Sequence, residues 1–191
     1  MKKHILGGMI AATLMVPALA GAADYVIDAK GAHASVNFKI KHLGYSWLIG
    51  RFNQFEGGFS YDAENPDASA IQVIIDTASV DSNHAERDKH LRSEDFLNVG
   101  EFPQASFNST SYKATDAENG EITGDLTLHG VTRSISFPVQ KIGEGKDPWG
   151  GYRAGFAGAT TLKLADYGIT YNLGPASTEV ELELHVEGIR Q

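Results

Sequence analysis

The sequence predicts an all-β fold: an up-and-down barrel of about eight long antiparallel strands, with one short helical segment near residues 84–97. Three observations carry this expectation. Apolar and polar residues alternate strictly through several segments, which gives strands with one dry and one wet face. Several of these runs reach ten residues or more, about 33 Å at about 3.3 Å per residue, and a sheet of such strands curls until it closes. One segment alone breaks the alternation with a helical pattern. A packed β-sandwich satisfies the same alternation and stays open as an alternative at this point.

The chain of 191 residues begins Met1-Lys2-Lys3-His4, continues with 12 apolar or small residues from Ile5 to Val16, and reaches Pro17 and Ala18-Leu19-Ala20-Gly21-Ala22. A basic start, an apolar stretch and an A-x-A end are the three parts of a secretory signal peptide, expected over residues 1–22 with cleavage after Ala22. The apolar run is too short for a membrane span, which needs about 20 residues. Loss of Lys2 and Lys3 takes the formal charge from −8 to −10. So acidic a chain offers no basic patch for nucleic acid, and none is expected as a partner. With no cysteine, disulfides, thiolate chemistry and a lipid anchor on cysteine are excluded, and the expected product is one domain, residues 23–191, free in the periplasm.

Within that domain Val36, Phe38 and Ile40 alternate with Ser35, Asn37, Lys39 and Lys41, giving the first clear strand. Further strands are expected near Leu48–Asp62 and Ala70–Val80. Asn83 stands three positions ahead of Glu86, a helix-start signature, and Arg87 to Arg92 are helix formers with an Asp88–Arg92 pair one turn apart. Glu86, Asp88, Glu94 and Asp95 are then expected on a solvated helix surface. Because the helix delivers Phe96 and Leu97 after mostly charged residues, it suits a lid over one barrel end. Strands follow near Gln104–Lys113, at Ile122–Leu128 and at Val131–Val139, the last two joined tightly at His129-Gly130. Gly143–Gly151 is expected as a surface loop, Tyr152–Leu164 as a strand, and Val180–Val186 alternates with glutamates as the final strand. Gly57-Gly58, Gly124, Gly155 and Gly158 within strands fit the bends and bulges that closure needs.

Motifs for catalysis are scarce. There is no Gly-x-Ser-x-Gly elbow and no phosphate loop with its lysine. His84 and His90 lie six apart, about 600° of helical rotation, and point away from one another. His33 and His185 fall on wet faces and His129 in a turn, so no metal site is expected. His42 follows Ile40 on the dry parity; it either meets a ligand head group or is a hydrogen-bonded histidine of the rim.

The run Asp81-Ser82-Asn83-His84-Ala85-Glu86-Arg87-Asp88-Lys89-His90-Leu91-Arg92-Ser93-Glu94-Asp95-Phe96-Leu97, followed by Phe102-Pro103-Gln104-Ala105-Ser106-Phe107, resembles the signature segment of the YceI family of periplasmic proteins. So do His42-Leu43-Gly44-Tyr45-Ser46-Trp47, Gly124 to Thr132, Asp147-Pro148-Trp149-Gly150-Gly151 and Leu173-Gly174-Pro175-Ala176-Ser177. The resemblance implies a lipocalin-like eight-stranded antiparallel barrel whose interior holds a long apolar chain, a polyisoprenoid or quinone-like lipid or a fatty acyl group. It implies no enzyme and no cofactor, and it allows a homodimer and transient contact with a membrane. An enzyme of isoprenoid or quinone metabolism using the same cavity, and a packed interaction module, are the alternatives. Candidate ligand contacts on strands are Phe38, Ile40, Phe52, Phe107, Leu126, Leu128, Phe137 and Phe156. His42 and Trp47 join them from one strand end, and Phe96, Leu97 and Phe102 from the helical segment.

Overall fold

A computed structural model describes residues 21–191. The expected leader therefore lies outside the described residues except for Gly21 and Ala22. In chain order the strands are β1 (Ala23–Ile27), β2 (Ser35–His42), β3 (Ser46–Phe52), β4 (Phe55–Tyr61), β5 (Ala70–Asp76) and β6 (Val80–Asp81). Helix α1 (Ala85–Leu91) comes next, followed by β7 (Gln104–Ala114), β8 (Asn119–Leu128), β9 (Val131–Lys146), β10 (Tyr152–Lys163) and β11 (Glu179–Arg190). All belong to one sheet, in which every pairing is antiparallel.

β1 and β2 are two lengths of one strand, interrupted at residues 28–34, and both pair with β11. β3 and β4 are likewise split at Asn53-Gln54, and pair with β2 and β1 respectively. β6 prolongs β5 past a short 3-10 turn at Thr77–Ser79. Read this way, eight antiparallel strands follow one another around the wall and β11 closes on the first. The closed eight-stranded barrel excludes the packed sandwich. One end carries α1, the β2–β3 and β8–β9 turns and residues 164–178; the far end carries the loops 62–69, 115–118 and 147–151.

Glycines appear where strands approach too closely for a side chain. A Cβ at Gly57 would press into the Gln72 carbonyl oxygen and stand 3.0 Å from Val73 Cα, so the β4–β5 pair requires glycine there. The β8–β9 connection is the expected two-residue turn, with φ of 50° at His129 and 73° at Gly130, the left-handed pair of a type I′ hairpin. His129 tolerates it because its Nδ1 reaches the Tyr167 carbonyl at 3.0 Å and its ring packs on Phe102.

The interior has two apolar clusters. At the α1 end Phe38, Val80, Leu126, Leu162, Tyr167 and Val180 are buried, and Leu91 and Leu97 pack on them. At the far end Tyr25, Ile27, Phe59, Tyr61 and Ala154 are buried, with the Tyr25 and Phe59 rings stacked at 4.7 Å.

Three local expectations need correction. The helix spans Ala85–Leu91, with His84 as its cap: His84 Nδ1 accepts from the Arg87 amide at 3.2 Å. Asn83 has φ 62°, a left-handed conformation that a cap residue in the extended region does not adopt. Asp88 is buried, not solvated, because its Oδ1 accepts from the Ser82 amide at 2.8 Å and from the Ser82 hydroxyl. Gly143–Lys146 belong to β9, whose ladder with β10 continues through Lys146, so the loop is confined to Asp147–Gly151.

Candidate functional site

The alternating dry faces converge on a cavity of about 140 Å³. Phe55 and Phe59 of β4, Ile71 and Val73 of β5, Phe107 of β7 and Ile122 and Leu126 of β8 form one side. Phe137 and Val139 of β9, Phe156 and Gly158 of β10, and Leu182, Leu184 and Val186 of β11 form the other. Gly158, which β10 pairs with both Val139 and Leu184, makes room for the Phe137 ring: a Cβ there would stand 3.1 Å from Phe137 Cε2 and 3.3 Å from the Pro138 carbonyl oxygen.

Four of the sequence-derived candidates line this cavity: Phe107, Leu126, Phe137 and Phe156. Phe38, Ile40, Phe52, Leu97 and Leu128 lie instead in the α1-end cluster, where they meet other side chains. Phe96 packs against His90 and Tyr171, at 5.0 and 5.1 Å between ring centres, and Phe102 against His129. His42 is exposed at the end of β2 rather than turned into the barrel. Trp47 is 46% exposed, because the register pairs it with Lys41 on the outer face, where Lys39 and Lys41 lie over its ring at 5.1 and 5.6 Å. The helical segment is part of the α1-end core, held by Arg92, which donates to the carbonyls of Ala78 and Val80 at 2.7 Å each. The segment thus covers the α1 end of the barrel, as expected, with the packed α1-end cluster between it and the cavity.

Polar residues that the alternation did not disclose stand around the far end of the cavity, whose lining surface is itself almost wholly apolar. Tyr61, Tyr112 and Ser69 line it. Lys141 Nζ donates to Tyr61 Oη and to Glu144 Oε1, both at 3.2 Å, and lies 5.4 Å from the centre of the Tyr61 ring. Two bulges place these groups. In β7 the register slips between Ser109 and Ser111, so that inward parity passes from Phe107 to Tyr112. In β9 the extra residue Ile142 lets Lys141, opposite Phe156, and Glu144, opposite Ala154, share the inner face although they are three apart. Bulges at barrel rims commonly re-aim side chains in this way. The hydrogen bond to Tyr61 favours the Lys141 ammonium and raises its pKa, while burial raises that of Tyr112. A lone lysine continuing the Phe137, Val139 parity was the signal available in the sequence.

Asp28, His33 and Glu187 on the outer face bring ligand atoms within 4.8 Å of one another. Arg153 already serves as the cation there, with Nη1 2.8 Å from Asp28 and 2.6 Å from Glu187, and Nε 3.0 Å from Asp147. The cluster reads as an ionic clamp across the 28–34 interruption.

The model for the YceI-like domain matches residues 25–188. This chain belongs to the YceI-like domain family. UPF0312 proteins of Shewanella sp. strain W3-18-1 and Ectopseudomonas mendocina are 58% and 59% identical to it, each over 100% of both chains. Among solved structures, Burkholderia cenocepacia BcnA matches with a TM-score of 0.76 and 22% identity, covering 84% of this chain and 98% of its own. The Campylobacter jejuni YCEI protein gives 0.71 and 28%, over 80% and 90%. A polyisoprenoid binding domain from Saccharophagus degradans gives 0.65 and 20%, over 87% and 98%. For this YceI-like chain the likeness to BcnA and to the Saccharophagus domain establishes the barrel.

Proposed function

We propose that this YceI-like protein is exported to the periplasm, where it binds and carries or stores a long apolar chain. A polyisoprenoid or quinone-like lipid is favoured over a fatty acyl group. The observation that carries the reading is the cavity: a closed barrel whose interior between the two packed clusters is lined by apolar side chains from most of its strands. The solved relative described as a polyisoprenoid binding domain supports the choice of ligand class. Phe107, Leu126, Phe137 and Phe156 are the proposed contacts, and no reaction is assigned to them.

Burying each CH₂ is worth about 0.8 kcal/mol, so several isoprene units gain on the order of 15 kcal/mol before ordering costs. A cavity of about 140 Å³ is close to the size that takes a benzene-sized molecule. Longer chains therefore enter by turning the lining phenylalanines aside, and the protein gives up its load at transient contact with a membrane. The test is mass spectrometry of an organic extract of the protein isolated from the periplasmic fraction without detergent. A defined lipid is expected; an extract identical to the buffer blank, or protein absent from that fraction, overturns the corresponding half of the reading.

A further inference from the structure

The β2–β3 hairpin breaks two local rules at once. Of the eight large apolar side chains exposed among the described residues, four stand within seven consecutive positions on it: Leu43 (50%), Tyr45 (88%), Trp47 (46%) and Ile49 (66%). Its turn has φ of 52° at Leu43 and 82° at Gly44, closed by the Tyr45 amide on the His42 carbonyl at 3.0 Å. Asn, Asp or Gly is favoured at the first of these positions; a leucine there is neither buried nor suited to the backbone. Folding gains nothing from that choice, and exposed apolar residues grouped among polar ones mark a surface for a partner.

The hairpin is firm and stands clear of the wall. Ser177 Oγ donates to the Lys41 carbonyl at 2.5 Å. β3 meets β6 only at Arg51 and Phe52, so among the described residues Ser46 to Gly50 have β2 as their single strand partner. Leu48 packs inward on the α1-end cluster, which sends Trp47, Ile49 and Arg51 to the outer face. Charge follows the same line. Residues 29–55 carry Lys30, Lys39, Lys41 and Arg51 and no acidic residue, in a chain with 24 acidic and 16 basic residues. Glu181 takes Lys39 at 2.9 Å and Asp81 stands opposite Arg51. Lys41 has no ion pair among the described residues and lies over the Trp47 ring. Aromatic rings beside aliphatic side chains, with lysines long enough to reach lipid phosphates, make up a membrane-interface surface. A tip two strands wide offers less than the about 800 Å² a side of a stable protein interface, whereas a bilayer surrounds it.

Resting on the reading of the protein as a lipid carrier, we propose that the β2–β3 hairpin is the face on which it docks to a membrane containing anionic phospholipid. Leu43 and Ile49 enter the acyl boundary, Tyr45 and Trp47 lie at the head-group level, and Lys41 and Arg51 meet the phosphates.

Two single-tryptophan proteins read the two barrel ends separately, because Trp47 is on the hairpin and Trp149 in the far-end loop. Trp149→Phe leaves the first and Trp47→Phe the second. Each is titrated with phosphatidylcholine vesicles, with and without phosphatidylglycerol, and bound protein is measured by cosedimentation. With phosphatidylglycerol present, Trp47 emission is expected to move to shorter wavelength and to be shielded from acrylamide, while Trp149 in the bound protein stays as in solution. Lys41→Gln is expected to weaken binding to the anionic vesicles about fivefold, the worth of one basic residue at such a surface. Tyr45→Ser together with Ile49→Ser is expected to weaken it at least about tenfold through lost apolar burial. These side chains are exposed, so the variants keep the fold. Trp47 unmoved by vesicles, Trp149 moving as far, or equal binding with and without phosphatidylglycerol overturns the docking face. A Trp47 shift that follows protein concentration without lipid also overturns it, by making the hairpin a contact between copies. The lipid in the organic extract reads the carrier proposal independently. A protein that docks through Trp47 but yields an empty extract overturns the carrier reading and keeps the face; one that is loaded but ignores vesicles does the reverse.

Discussion

Gly57 shows how little room single residues have in this wall. The Gln72 carbonyl oxygen and Val73 Cα that a Cβ would meet are backbone, and neither can rotate aside. Gly57→Ala is expected to cost more than about 2 kcal/mol, in the range of overpacking. Gly143→Ala, with nothing within 4 Å, should stay within about 0.5 kcal/mol of wild type. Urea denaturation of the two variants side by side checks this. Asp28 tests electrostatics at the same scale. Its hydrogen bond from Arg153, then those from His33 and the Gly31 amide, lower its pKa to about 2. The unfolded value is about 3.9, so Asp28 favours the folded state fully above that value and loses its contribution as pH falls toward 2. Arg153→Met removes the largest cause, and the acid-unfolding midpoint followed by circular dichroism is expected to rise by about one pH unit. An unchanged midpoint would mean that the clamp carries no pH dependence.

At the scale of elements, the segment after β6 is anchored over its barrel end by polar contacts. Asp88 satisfies both the amide and the hydroxyl of Ser82, and Arg92 binds two carbonyls ahead of the helix. Asp88→Ala strands two buried donors and is expected to cost about 2–4 kcal/mol in one cooperative melt. Ligand transfer to vesicles measured beside the melt decides whether the segment also gates exchange: a wild-type rate makes it a fixed cap, and faster transfer from the variant makes it a lid. The presence of this helix was legible in Asn83 to Arg92, but its start was not. The Asn-x-x-Glu spacing does not tell whether Asn83 is extended or left-handed, and the left-handed choice moves the cap to His84. Strand parity carried the rest of the wall, because alternation needs only local sequence. It failed at Tyr112 and Glu144 for one physical reason: a bulge adds one residue and inverts every face beyond it. No turn residue marks Thr110 or Ile142 as the extra one, so the inward placing of Tyr112 and Glu144 was hidden while the apolar body of the cavity was not.

For the molecule as a whole, closure was legible in the length and number of the strands, whereas the position of the cavity was not. Phe38 and Phe107 give the same signal, an aromatic on a dry face. Each ring lies over a glycine and beside a second phenylalanine, Phe38 over Gly50 and 5.9 Å from Phe52, Phe107 over Gly124 and 5.6 Å from Phe137; of the two, Phe107 alone also borders the cavity. Whether a dry face meets side chains or a void depends on volumes summed across the barrel, which no single segment records. Leu184→Trp tests that sum directly. Leu184 sits between Gly158 of β10 and Val36 of β2 and lines the cavity, so an indole there grows into it. In a close-packed core such an enlargement costs about 1–3 kcal/mol. Here the new ring occupies existing space, and the thermal midpoint is expected to stay level or rise. The same ring takes the place of the apolar chain, so the lipid recovered in the organic extract should fall at least about tenfold relative to wild type. A variant that melts early shows that the interior near Leu184 is already full, and one that keeps both its stability and its lipid shows that the chain lies elsewhere.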